Sequence, residues 1–75
     1  MTKRAAARLE TRNKVLAAAR ALFADPGYDR TTVRMIAAAA GCSAGGVFTT
    51  FDSKEDILAA LVFERYAGLA AALAR

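Results

Sequence analysis

The chain has 75 residues, 56% of them apolar, with 11 Lys and Arg against 7 Asp and Glu and a net charge of +4. That length allows one small domain, and its core is thin because roughly half of the apolar residues are Ala, which favours helix and adds little burial. A single cysteine, Cys42, and no histidine exclude an internal disulfide framework and a Cys/His metal site. With no base to activate Ser43 or Ser53 and no phosphate-binding loop, no enzyme and no cofactor are expected.

The charge is uneven. Residues 1–34 carry eight cations against three carboxylates, whereas residues 35–75 carry three against four. The basic character therefore belongs to the N-terminal half and suits a polyanionic partner.

In chain order, residues 1–8 are basic and Ala-rich, with no bulky side chain before Leu9, and are expected to form a frayed arm. From Leu9 to Ala24 the pattern predicts a first helix, with Val15, Ala19, Leu22 and Phe23 on one stripe and Arg12, Lys14 and Arg20 off it. Pro26 and Gly27 stop that helix, and Tyr28 is expected to plug the loop that follows. Thr31 and Thr32 compete to cap a second helix, which Val33, Ile36, Ala37 and Ala40 carry at helical spacing to the corner at Gly41. Ser43 caps a third helix from Ala44 to about Thr50. Val47 and Phe51 point inward, leaving an outer face of Ala44, Gly45, Gly46 and Thr49 that is nearly bare and can press against something large. Cys42 reads as a small buried apolar residue in the turn.

Ser53, with Asp56 three residues on and Glu55 in the first turn, opens a fourth helix. Ile57, Leu58, Leu61, Val62, Tyr66, Leu69 and Leu73 recur along it and no stop signal precedes Arg75. Twenty-odd residues make a rod of roughly 30 Å, longer than a three-helix head needs.

Two short helices around a tight turn, followed by a capped helix, form the layout of a helix-turn-helix DNA reader. Thr32, Ile36-Ala37, Ala40-Gly41, Ser43, Gly45, Phe48, Phe51, Lys54 and Leu58 resemble, at matching offsets, the DNA-binding domain of the TetR family of bacterial transcriptional regulators. Val15, Ala18, Ala19, Leu22, Phe23, Gly27 and Tyr28 are similar to that family's first helix and closing turn. The resemblance covers roughly residues 10 to 66. It implies an all-α, homeodomain-like three-helix head plus the start of a long linking helix: a basic arm over 1–8, the DNA-binding domain over 9–52, and a fourth helix over 53–75. That helix would lead to a ligand-binding and dimerisation domain absent from this sequence.

The resemblance also implies roles. Base edges would be read by Arg34 and by Ala44, Gly45, Gly46 and Thr49. Phosphates would be held by Thr32, Ser43, Phe48, Thr50 and Lys54, helped by Lys3 and Arg4 of the arm. Phe48 stands where the family usually has a Tyr and Thr50 where His or Tyr is usual, so fewer backbone contacts than normal are expected. The implied protein is a cytoplasmic repressor that binds a palindromic operator as a homodimer and is released by a small-molecule effector. The rival reading is a basic amphipathic module for a membrane or a partner protein. Against it, Pro26-Gly27, Gly41 and Gly45-Gly46 cut the chain into short helices, and no run of about 18 uncharged apolar residues occurs.

Overall fold

In a computed structural model that describes residues 2–73, the chain is all-α, with no strand among the described residues. Helix α1 spans Lys3–Leu22, α2 Val33–Ala40, α3 Ala44–Phe48 and α4 Lys54–Leu73. The three-helix head and the long fourth helix expected from the sequence are both present. Met1, at the start of the expected arm, and Ala74 and Arg75, at the end of the expected fourth helix, lie outside the described residues.

The arm is where structure and sequence reading part. Residues read as frayed are helical from Lys3 onward, because the Thr2 hydroxyl accepts the Ala5 N–H at 3.2 Å and so caps the chain two turns earlier than expected. Ala5, Ala6 and Ala7 have the best intrinsic helix propensity and need no bulky neighbour to continue the turn. Farther along α1, Val15, Leu16 and Ala19 are buried; Leu16 is an addition to the expected stripe.

The helix ends in a wide turn over Phe23–Gly27, in which Asp25 leaves helical dihedrals and Gly27 takes φ 111°. Thr31 then turns inward and is 1% exposed. Its hydroxyl donates to the Gly27 carbonyl at 2.7 Å, with the Leu22 carbonyl also within reach at 3.0 Å, so it ties the loop to the end of α1. The competition for the α2 cap is thereby decided. Thr32 accepts the Met35 N–H at 3.2 Å, and Thr31 is a buried brace.

At the other end of α2, Gly41 adopts the left-handed conformation, φ 75°. Its N–H donates to Ala38 and that of Cys42 to Ala37, the paired bonds that close a helix at a left-handed residue. Ser43 then caps α3 through the Gly46 N–H at 3.0 Å, and Ser53 caps α4 through the Asp56 N–H at 3.2 Å.

These four starts bring one core together. Val15, Leu16 and Ala19 from α1 meet Ile36 and Ala37 of α2, Val47 of α3, Phe51, and Ile57 of α4. Cys42, expected to be buried, packs against the same cluster but is only half-buried. Beyond Leu61 the core has ended and α4 projects with its apolar residues exposed, Phe63 at 73% and Leu73 at 77%.

Candidate nucleic-acid interface

The outer face of α3 follows directly from its composition. Gly45 and Thr49 are exposed, while Ala44 and Gly46 are half-buried, so the bare surface is narrower than the four residues suggest. At Gly46 a Cβ would lie 3.4 Å from Ser43 Oγ and 3.8 Å from Cys42 Cβ, whereas at Gly45 it would meet only Ser43 Oγ at 3.8 Å. Gly45 is thus the open backbone of the helix, and Gly46 partly lines the turn. Val47 and Phe51 point into the core as expected.

Of the hydroxyls on this face, Thr49 has spent its proton while Ser43 keeps its own. Ser43 accepts from Gly46 N–H, and Thr49 donates to the Gly46 carbonyl at 2.7 Å, which leaves the Thr49 methyl as the unengaged part of its side chain. Phe48 is 50% exposed and has no donor. Thr50 is exposed and lines clefts between α3 and α1.

Two helix N-termini flank α3. The first turn of α2 carries Thr32, spent as the cap, and Arg34, which is exposed and without an ion-pair partner among the described residues. The first turn of α4 carries Lys54, whose ammonium donates to the Tyr28 carbonyl at 2.8 Å and stands 4.1 Å from the centroid of the Tyr28 ring. That carbonyl also accepts the Thr31 N–H, so the loop leading to α2 and the start of α4 are fastened at one atom. Tyr28 packs edge-on against Phe23 with centroids 5.0 Å apart, the plug the sequence suggested. Its phenol is raised above its ordinary pKa, first by desolvation and then by the neighbouring Glu55 carboxylate. The Glu55 carboxyl is lowered, chiefly by its own backbone N–H and next by the Ser53 hydroxyl.

Residues 15–61 match the family described as bacterial regulatory proteins, tetR family. The chain belongs to the TetR family. It is 40% identical over 60 residues to the HTH-type transcriptional repressor AcnR of Corynebacterium glutamicum, covering 80% of this chain and 32% of the relative. It is 39% identical over 64 residues to the HTH-type transcriptional repressor Rv1474c of Mycobacterium tuberculosis, covering 85% and 34%. The AcnR repressor of Corynebacterium efficiens is 39% identical over 62 residues, covering 83% and 33%. The chain thus spans about a third of the length of these curated relatives. No solved structure matches it.

Within the TetR-type head, the residues singled out from the sequence fall into separate groups. Arg34, Gly45, Thr49 and Thr50 are exposed on or beside the slim helix; Thr32 and Ser43 are caps; Lys54 is tied to Tyr28. Lys3 and Arg4 are exposed on the first turn of α1. Two contacts had no local sequence signal. Arg12, read as a cation off the apolar stripe, pairs with Glu64 at 3.0 Å and lies 6.0 Å from the Phe51 ring centroid, bridging α1 to α4 across the core. Arg8 lines the same α1–α3 clefts as Thr50. No helix among the described residues is long and apolar enough to cross a membrane.

Proposed function

We propose that this chain is the sequence-reading head of a transcriptional repressor. In this reading α3 lies in the major groove with Gly45 and Thr49 against base edges. Arg34 pairs with a guanine, and Ala44 and the Thr49 methyl meet thymine methyls. Thr32, Ser43, Thr50 and Lys54 lie along the phosphates. Phe48 contributes packing without a hydrogen bond. With two glycines and no long polar side chain on α3, part of the specificity comes from the shape and deformability of the duplex.

The observation that carries the reading is the stripped face of α3, flanked by an exposed Arg34 that has no ion-pair partner among the described residues and by the cation at the start of α4. Apart from the half-exposed Phe48 this face carries nothing bulky, which makes it poor at holding a small ligand and well shaped for close approach to a large groove.

The finer parts of the proposal concern the whole regulator. Two copies bind a palindromic operator as a homodimer, with half-sites a whole number of helical turns apart. The exposed stripe of α4 packs against further helices of a longer cytoplasmic chain, where a small molecule binds, moves α4 and releases DNA. The curated relatives are named as repressors, which favours blocking over activating transcription. Selection of bound fragments from random and genomic DNA tests the reading. It should return one palindromic consensus, and recovery of duplexes without a shared sequence would overturn it.

A further inference from the structure

We propose that Arg8 is a backbone-gripping residue of this DNA interface, placed by α1 beside the C-terminal end of α3 so that its guanidinium takes a phosphate flanking the bases that α3 reads. The inference rests on the DNA-binding reading above and adds to it an element, the side of α1, that lies outside the helix-turn-helix itself.

Three observations carry it. The first is position. Two neighbouring clefts separate α1 from α3, and Arg8, Thr49 and Thr50 wall both of them; one is completed by Leu9 and Arg12, the other by Thr11 and Gly46. The second is availability. Arg12 is committed to Glu64 and Lys14 to Glu10, whereas Arg8 is exposed and has no ion-pair partner among the described residues. Its helical neighbours Ala5, Ala6 and Ala7 raise no bulk around it, and none of them belongs to the core, so nothing in packing calls for an arginine here.

The third observation is what α3 lacks. The Thr49 hydroxyl proton is used on the Gly46 carbonyl and Phe48 has no donor, so Ser43, which accepts the Gly46 N–H and keeps its own proton, is the one hydroxyl donor that α3 and its caps leave free. The slim helix therefore brings few groups of its own to the strand it would lie against. A guanidinium on the adjoining ridge offers several N–H donors in a planar fork that fits two phosphate oxygens. Arg4, one helical turn before Arg8, continues the same positive ridge away from α3.

The test is made on the natural full-length protein with Arg8→Gln, Arg8→Lys and, as a control elsewhere on α1, Arg20→Gln. Each is titrated against the selected consensus duplex and a scrambled duplex between 50 and 200 mM salt, with thermal melting run alongside. Arg8→Gln should weaken binding to both duplexes by about five- to tenfold and reduce the salt slope by about one. Arg8→Lys should restore the slope and part of the affinity, and Arg20→Gln should match the wild type. All melting temperatures should coincide. Wild-type affinity and slope in Arg8→Gln, while Arg34→Ala still weakens consensus binding, would overturn the Arg8 role and leave the DNA reading intact. A wild-type protein with no preference between duplexes would instead remove the reading beneath it, and the role of Arg8 with it.

Discussion

Lys54 has two demands on one ammonium. It holds the Tyr28 carbonyl at 2.8 Å and covers the Tyr28 ring, yet it also stands at a helix start where a phosphate would bind. Three N–H donors allow both, since the carbonyl uses one. Lys54→Ala should therefore lower affinity for every duplex, flatten the salt slope by about one, and also lower the melting temperature by removing a cation–π contact of roughly 0.5–1 kcal/mol. Arg34 differs in kind. It is exposed and unpaired among the described residues, so Arg34→Ala should leave melting unchanged and remove about 1–3 kcal/mol of preference for the consensus. Titration of both variants on consensus and scrambled duplexes checks the division, and equal losses on all sequences would refute it. Glu55 supplies a pH dependence. Its folded pKa is depressed by its own N–H and the Ser53 hydroxyl, so its stabilising effect is present above the unfolded value of about 4.3 and is lost as pH falls through the lower folded one. Melting curves across that acid range should fall more steeply for the wild type than for Glu55→Gln.

At the scale of elements, α3 sets stability against approach. It spans only Ala44–Phe48, and two of those five residues are Gly, each costing a helix about 1 kcal/mol relative to Ala. A methyl at Gly45 would fit without a clash, in ordinary van der Waals contact with Ser43 Oγ at 3.8 Å. Gly45→Ala should accordingly raise the melting temperature while weakening consensus binding, because the added methyl stands between the backbone and the groove. Calorimetry and titration of the same variant read the two effects. A variant that gained both stability and affinity would mean that the α3 backbone does not approach DNA. What could be read from sequence about these elements was whatever is local. Thr32, Gly41, Ser43 and Ser53 announce helix ends through bonds spanning a few residues, and Val47 and Phe51 declare their side by spacing. The start of α1 carries no bulky periodicity, only the helix propensity of an Ala run behind the Thr2 cap. Leu16 lies just off the expected stripe. The Arg12–Glu64 pair, 52 residues apart, and the Lys54–Tyr28 bond, 26 apart, have no local signature at all. Likewise Thr49 was legible as a surface residue, whereas the turning of its hydroxyl onto Gly46 depends on the backbone that α3 presents.

On the scale of the whole molecule, 17 Å of thickness leaves room for a single shallow core, and that core stops well short of the end of α4. Ile57 is fully buried and Leu61 half-buried, but Val62, Phe63, Tyr66, Leu69 and Leu73 are exposed around the shaft. Among the described residues the last side-chain tie to the head is Glu64, through Arg12. Past it the helix depends on its own hydrogen bonds, over a length at which isolated helices are marginal in water, and Gly68 weakens it further. In the 75-residue chain, α4 should therefore open from its C-terminal side. Amide hydrogen exchange should be fast from Gly68 to Leu73, slower across Ile57–Leu61, and slowest for the buried segments of α1 and α2. Glu64→Gln should move the boundary of fast exchange toward Leu61, because a carboxylate over a third exposed still contributes a few tenths of a kcal/mol to holding the shaft. The apolar stripe also provides an alternative cover, a second copy, so exchange must be followed on dilution with sedimentation alongside. Protection that persists to Leu73 in a demonstrated monomer would contradict this account of the shaft. Protection that disappears as oligomers dissociate would locate the cover on the exposed face of α4.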